Sequence, residues 1–154
     1  MPDLDQLARY AESFNGSAAL RAFGVKLSFP SLDKVVATID PIRPEQRGGL
    51  GTDAVNGGVL AAMFDLIIGC TPALIDPTRR NATMQLSMSF ERPLVGRSLR
   101  AEGWITNAGS ATVFSAAHIL DDRGNVCARC NGVVKLSKVP WKSGVSPAID
   151  GEDS

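Results

Sequence analysis

The run Asn56-Gly-Gly-Val-Leu-Ala-Ala-Met-Phe-Asp-Leu-Ile-Ile-Gly-Cys70 decides how this chain is read. Asn is a strong helix N-cap, and two glycines leave the first turn open to close approach. The residues that follow are apolar nearly all round, so the helix either crosses a bilayer or lies in a core wrapped by other elements. Asp65 near its middle would cost about 2.5–3.5 kcal/mol in lipid, and no Lys/Arg asymmetry flanks the segment. Pro72 and the leading glycines weaken a span further, so the reading is a core helix over 57–75, with no membrane partner.

Downstream, four segments alternate with period two. In 83–90, Met84, Leu86, Met88 and Phe90 fall on one face and Thr83, Gln85, Ser87 and Ser89 on the other. Strands are expected at 99–107, 112–120 and 126–136, joined by short turns at 108–110 and 121–125. Upstream, Leu4, Leu7, Ala8, Ala11 and Phe14 recur at three and four, which predicts an amphipathic helix ended by Asn15-Gly16. Residues 23–29 and 34–39 form a β-compatible pair around the turn Pro30-Ser-Leu-Asp33. The order describes an α+β domain over 1–137, a curved antiparallel sheet wrapped around one long helix. Residues 138–154, with Pro, Gly and a closing acidic group, read as a mobile tail.

Sixteen Lys and Arg balance 16 Asp and Glu, which gives no long-range field for nucleic acid. Three cysteines are not a secreted disulfide framework, and the acidic start lacks the basic n-region of a signal peptide, so the expected location is the cytoplasm.

Asn56-Gly57-Gly58, Asp65 nine positions later, the strand 83–90 closing on Arg92-Pro93, and Asp122-Arg-Gly-Asn-Val-Cys-Ala-Arg129 together resemble the hot-dog acyl-CoA thioesterases of the PaaI-like, phenylacetyl-CoA type. The resemblance spans about residues 20–137. It implies a catalytic carboxylate at Asp65, an oxyanion-binding amide at Gly58, and a water-orienting hydroxyl at Thr83, with no cofactor or metal. It also implies a homodimer or a dimer of dimers acting on an acyl-CoA.

Elementary chemistry supports parts of this. Uncapped amides of Gly57 and Gly58, backed by the helix dipole, would receive a thioester carbonyl, with Asn56 at the cap. Asp65, a lone carboxylate in an apolar helix, needs a partner, water or a task, and apolar surroundings would favour its protonated form. Gly58 and Asp65 are seven residues apart, about 10 Å along one helix. One thioester cannot touch both. If both act on one carbonyl, the carboxylate comes from a second, antiparallel copy across a two-fold axis.

The pattern departs from the family in three places. Asn56 stands where many relatives carry His, and an amide cannot titrate near neutral pH. The upstream loop lacks the relatives' polar Asn, with Gln46, Arg47, Thr52 and Asp53 as replacements, and the hairpin at 107–110 lacks a basic residue for coenzyme A phosphates. Arg92 and Arg97 are expected to supply that contact, with Arg79, Arg80 and Arg129 also available. These departures leave a second reading, a non-catalytic hot-dog module that binds an acyl thioester or another apolar ligand.

Three weaker signals are set aside. Gly49-Leu-Gly-Thr-Asp-Ala54 fits a loose dinucleotide pattern but follows no strand closely and opens no βαβ unit. Cys127 and Cys130 have metal spacing, yet residues three apart on a strand point to opposite faces. His118, the sole histidine, reads as a hydrogen-bonded sheet residue.

Overall fold

The computed structural model describes residues 1–141. Helix α1 (Leu4–Asn15) starts at a capping box in which the Asp3 carboxylate accepts from the Gln6 N–H and the Gln6 side chain returns to the Asp3 N–H. It buries Leu7, Tyr10 and Ala11. The Asn15 carboxamide then clasps both backbone groups of Leu27, at 2.7 and 2.9 Å, which fixes the helix against β1 (Val25–Ser31). A second helix, α2 (Ala18–Phe23), is capped by Ser17 and stopped by Gly24 at φ 69°. Phe23, expected at the start of a strand, instead ends this helix, because a six-residue helix carries too little periodicity to show in the sequence.

β2 (Lys34–Ile39) follows, then the long helix α3 (Gly57–Cys70), which tightens into a 3₁₀ turn over Thr71–Leu74. β3 (Arg79–Phe90), β4 (Leu99–Ala108), β5 (Thr112–Asp121) and β6 (Val126–Pro140) complete one six-stranded antiparallel sheet in the order β1-β2-β4-β5-β6-β3. This is the hot-dog arrangement: the sheet curves around α3. β6 runs to Pro140, paired with Arg79, so the strand continues past the expected boundary at 137. The remainder of the expected tail lies outside the described residues.

Close packing of helix on sheet depends on two glycines. A Cβ at Gly132 on β6 would lie 2.5 Å from Ile68 Cγ2, and one at Gly103 on β4 would lie 3.0 Å from Ile67 Cγ1. Without side chains there, Phe64, Ile67 and Ile68 sink fully into the concave face. The Thr71 hydroxyl, buried at the end of α3, donates to the Ile68 carbonyl and meets the Ser115 hydroxyl of β5 at 2.6 Å. The run Gly57–Leu74 has the length of a membrane span, but it packs against the sheet.

β3 departs from simple alternation. Thr83 pairs with Val134 and Gln85 with Val133, so Met84 is an extra residue in a β-bulge. Before the bulge, Asn81 and Thr83 face α3; after it, Leu86, Met88 and Phe90 do. The expectation that Met84 shares a face with Leu86, and Thr83 with Ser87, fails for this reason. Met84, Met88 and Phe90 are all exposed, since β3 is an edge strand.

Candidate functional site

α3 is not wrapped on every side. Gly58, Ala61, Ala62, Asp65 and Gly69, at spacings of three and four, form one stripe of small residues left partly or fully uncovered by the rest of the chain. Asp65 is therefore exposed, which corrects the expectation of a carboxylate enclosed in apolar surroundings. Small side chains along the stripe leave room for something else to lie against the helix.

The stripe opens into an apolar cleft of about 530 Å³ between α3, β3 and the N-terminal helices. Asp65, Gly69 and Cys70 line it from α3, Asn81 and Thr83 from β3, and Phe14 from α1. Gly69 lets the strand come close, because a Cβ there would lie 3.3 Å from Thr83 Oγ1. The bulge at Met84 is what turns Thr83 inward to share the cleft with Asp65. Among the described residues lining the cleft, Asp65 is the sole charged one, and no Lys or Arg joins it. Burial pushes the Cys70 thiol up to about 12, with the nearby Asp65 charge adding to the shift, so Cys70 is a neutral thiol rather than a nucleophile.

The other end of α3 holds Asn56, Gly57 and Gly58, all exposed and outside this cleft. Asn56 Oδ1 accepts the Gly58 N–H at 2.7 Å. The Gly58 amide is thus capped by its own neighbour, contrary to the expectation of a free donor. An N-cap side chain reaches the second or third amide of the helix, and Gly58 is the second. The Phe90 ring edge lies 4.0 Å from where a Gly57 Cβ would stand, which brings the end of β3 over this turn.

The preceding loop positions the turn. Gln46, buried, donates through Nε2 to the Phe23 carbonyl at 2.6 Å and accepts the Asn56 N–H at its own carbonyl. Arg47 donates to the Asp53 and Gly96 carbonyls, both at 2.7 Å. Arg43 donates to the Ala22 carbonyl. These residues fasten α2 and the 91–98 segment to the start of α3, so Gln46 and Arg47 are structural here.

Of the arginines expected to meet coenzyme A, Arg97 pairs with Asp40 at 3.3 Å, away from the cleft. Arg79 donates to the Ser137 carbonyl and Arg129 pairs with Glu91. Arg92, exposed two residues beyond Phe90, and Arg80 belong to none of the ion pairs among the described residues.

His118 lies on the convex face of the sheet, across from α3. It sits 3.6 Å from Glu102 and against the Trp104 ring edge, and its Nε2 is buried without a hydrogen bond. The expected hydrogen bond is not formed, and the ring cannot reach the cleft through the sheet. Burial alone would raise the Glu102 carboxyl, but hydrogen bonds and charge from Lys34 and Arg100 outweigh it and hold it at about 2. Cys70, Cys127 and Cys130 are free and buried.

The sequence reading missed the cleft's N-terminal wall and the inward turn of Asn81. Neither has a local signature, since one depends on chain folding over α3 and the other on a bulge.

The model of the thioesterase superfamily matches residues 53–128, which run from the loop before α3 into β6. No match is found among curated proteins. Solved structures share the fold. A Shewanella oneidensis protein related to the thioesterase superfamily is 21% identical, with a TM-score of 0.77, over 86% of this chain and 96% of that one. A thioesterase from Haemophilus influenzae is 16% identical, with a TM-score of 0.73, over 89% and 92%. The PaaI protein of the E. coli phenylacetic acid degradation operon is 17% identical, with a TM-score of 0.71, over 87% and 98%.

Proposed function

Because this chain belongs to the thioesterase superfamily, we propose that it is an acyl-CoA thioesterase of the PaaI-like kind, cleaving small aromatic or short- to medium-chain acyl-CoAs at sites shared by two copies of the chain. The observation that carries this reading is Asp65: an exposed carboxylate on the uncovered stripe of α3, lining an apolar cleft that Thr83 also lines. The edge of β3 and its exposed Met84, Met88 and Phe90 offer a second copy both unpaired backbone and apolar surface. An antiparallel partner helix would bring its own N-terminus to Asp65, bridging the separation of about 10 Å within one chain.

The acyl group enters the cleft and the thioester carbonyl lies at the partner helix's first turn. The free Gly57 N–H and the helix dipole polarise it. Asn56, whose Oδ1 is held by Gly58, turns its Nδ2 hydrogens outward toward the same oxygen. Water held by Thr83 gives its proton to Asp65 as its oxygen attacks the carbonyl carbon, and the tetrahedral oxyanion forms against these donors. Collapse breaks the C–S bond, and the coenzyme A thiolate takes up a proton. Arg92, at the same end as Gly57, is the preferred contact for coenzyme A phosphates. No cofactor enters this scheme, and free buried cysteines fit a reducing cytoplasm.

The occupied Gly58 amide favours one alternative, a module that binds an acyl thioester without hydrolysing it. Complementation separates the two. Chains carrying Asp65→Asn or Gly58→Val, the latter displacing the Asn56 carboxamide that a Cβ at Gly58 would meet at 3.0 Å, each inactive alone, are co-expressed with distinct tags and the heterodimer purified. One of its two sites receives both lesions and the other none, so thiol release should return to about half of wild type. A stable heterodimer without rescue removes the shared site, and a wild type inert toward every acyl-CoA supports the binding module.

A further inference from the structure

The loop that leads into α3 has a fastened base and a free tip. Arg47 and Val55 form a β-bridge, and the Gly48 N–H donates to the Ala54 carbonyl at 2.6 Å. The Arg47 guanidinium ties the same base to the Asp53 and Gly96 carbonyls. Beyond these fastenings, a Cβ at Gly49 or Gly51 would meet nothing within 4 Å, and Leu50 between them is fully exposed. Leu50 also holds φ 61°, in the left-handed region that a leucine rarely adopts. An exposed large apolar side chain and a strained backbone both cost free energy, and no contact among the described residues returns it. Gly or Asn would fill the position more cheaply, so this leucine is held out to meet something beyond its own chain.

Its position says what that is. The Asn56 N–H is held by the Gln46 carbonyl, next to Arg47, so the first turn of α3 stands on the base of this loop. Leu50 is three residues beyond Arg47, a reach of at most about 11 Å. A molecule bound at that first turn therefore lies within range of the Leu50 side chain. The tip 48–52 carries no charge. Half-exposed Val95 adds apolar surface beside it, next to Leu94, whose carbonyl accepts the Val55 N–H.

Resting on the thioesterase reading, we infer that Leu50 is a substrate-binding residue on a flap. When an acyl-CoA lies at the first turn of α3, the tip folds onto the methylenes beside the thioester sulfur, on the coenzyme A side, and shields the carbonyl from bulk water. Gly49 and Gly51 supply the backbone freedom for that movement, and the fastened base keeps the first turn of α3 in place meanwhile. The acyl group itself lies in the other copy's cleft, so the flap serves coenzyme A thioesters whatever acyl group they carry.

The chain's three cysteines are buried, so Leu50→Cys adds the single exposed thiol. Its alkylation by iodoacetamide should slow by about tenfold or more when the protein is given an excess of S-hexyl-CoA, a non-hydrolysable thioether. In turnover, Leu50→Gly should lower kcat/KM by about tenfold, and by the same factor on every acyl-CoA that the wild type cleaves. Its melting temperature should hold or rise, because glycine relieves the left-handed backbone. Leu50→Met, equally apolar, should keep most of the rate. An alkylation rate that S-hexyl-CoA leaves unchanged overturns the inference, as does Leu50→Gly with wild-type kcat/KM. If no thioester is cleaved, the hydrolase reading fails by itself, and alkylation still decides the flap: slowing by S-hexyl-CoA upholds it, and an unchanged rate ends it.

Discussion

The two sides of α3 are made from the same kind of sequence and do opposite things. Toward the sheet stand Phe64, Ile67 and Ile68, fully buried, met by glycines on β4 and β6 that surrender their own side chains to let the helix in. Toward the open side stand Gly58, Ala61, Ala62, Asp65 and Gly69, small or charged, left partly or fully uncovered by the described residues. On the first side the protein is held together by volume, and every methylene counts. On the second it keeps surface in reserve, and the lone carboxylate can be exposed because no packing depends on it. Stability and the proposed chemistry are thus assigned to different sides of one helix.

Asp65→Asn is the sharpest probe of that separation. The amide is nearly isosteric but cannot accept a proton, so kcat should fall by about 10³-fold, equivalent to about 4 kcal/mol, while the melting temperature stays put. Comparable loss of activity and of melting temperature would mean that the open side is structural after all.

Gly132→Val asks the converse. Its side chain would meet Ile68 at a distance no repacking of the helix absorbs easily, so stability should fall by about 3 kcal/mol, roughly 10 °C in a thermal melt. A variant that melts like wild type would show that α3 is less tightly seated than described.

Asn56→Asp tests the end of the open side. Aspartate caps as well as asparagine but has no N–H to donate, so thermal stability should hold while kcat drops by about 10²-fold. Asn56→Ala loses cap and donor together and should lower both. If Asp65→Asn inactivates and Asn56→Asp does not, the carbonyl is met by backbone amides alone.

The smallest effect lies on the convex face, remote from both sides of α3. Glu102 is lowered from the usual 4.5 to about 2 in the folded chain, so its contribution is present above about 4.5 and is lost as the pH falls through 2. Glu102→Gln should cost about 1 kcal/mol or less at neutral pH and flatten the acid limb of a stability curve between those values, with activity at neutral pH unchanged. An identical acid limb in the variant would assign that slope to other carboxylates.

Much of the architecture was legible along the chain because it rests on local chemistry. The span of α1 followed from the three-and-four spacing of Leu4, Leu7 and Ala11, and β2 from a β-branched run between turn residues. The start of α3 followed from Asn56 and its glycines, and the helix's place in the core from its unbroken apolarity. The candidate site was legible only in part. Asp65 stood out because a charge in an apolar helix must be explained, and that argument holds whichever way the side chain points.

What the sequence determined by itself is therefore the longer elements, though not α2, together with the central helix and the identity of its carboxylate, since periodicity, capping and the penalty on buried charge act over a few residues. Tertiary structure alone decided which side of α3 stays open, because that depends on where the sheet finds glycines to receive Ile67 and Ile68. It decided that Thr83 and Asn81 face the cleft, because one extra residue at Met84 reverses the alternation of β3 and pairing with β6 fixes where that residue sits. It decided, finally, that Phe14 of α1 lines the cleft together with Asn81 and Thr83 of β3, because a contact between the first helix and an edge strand has no counterpart in local spacing.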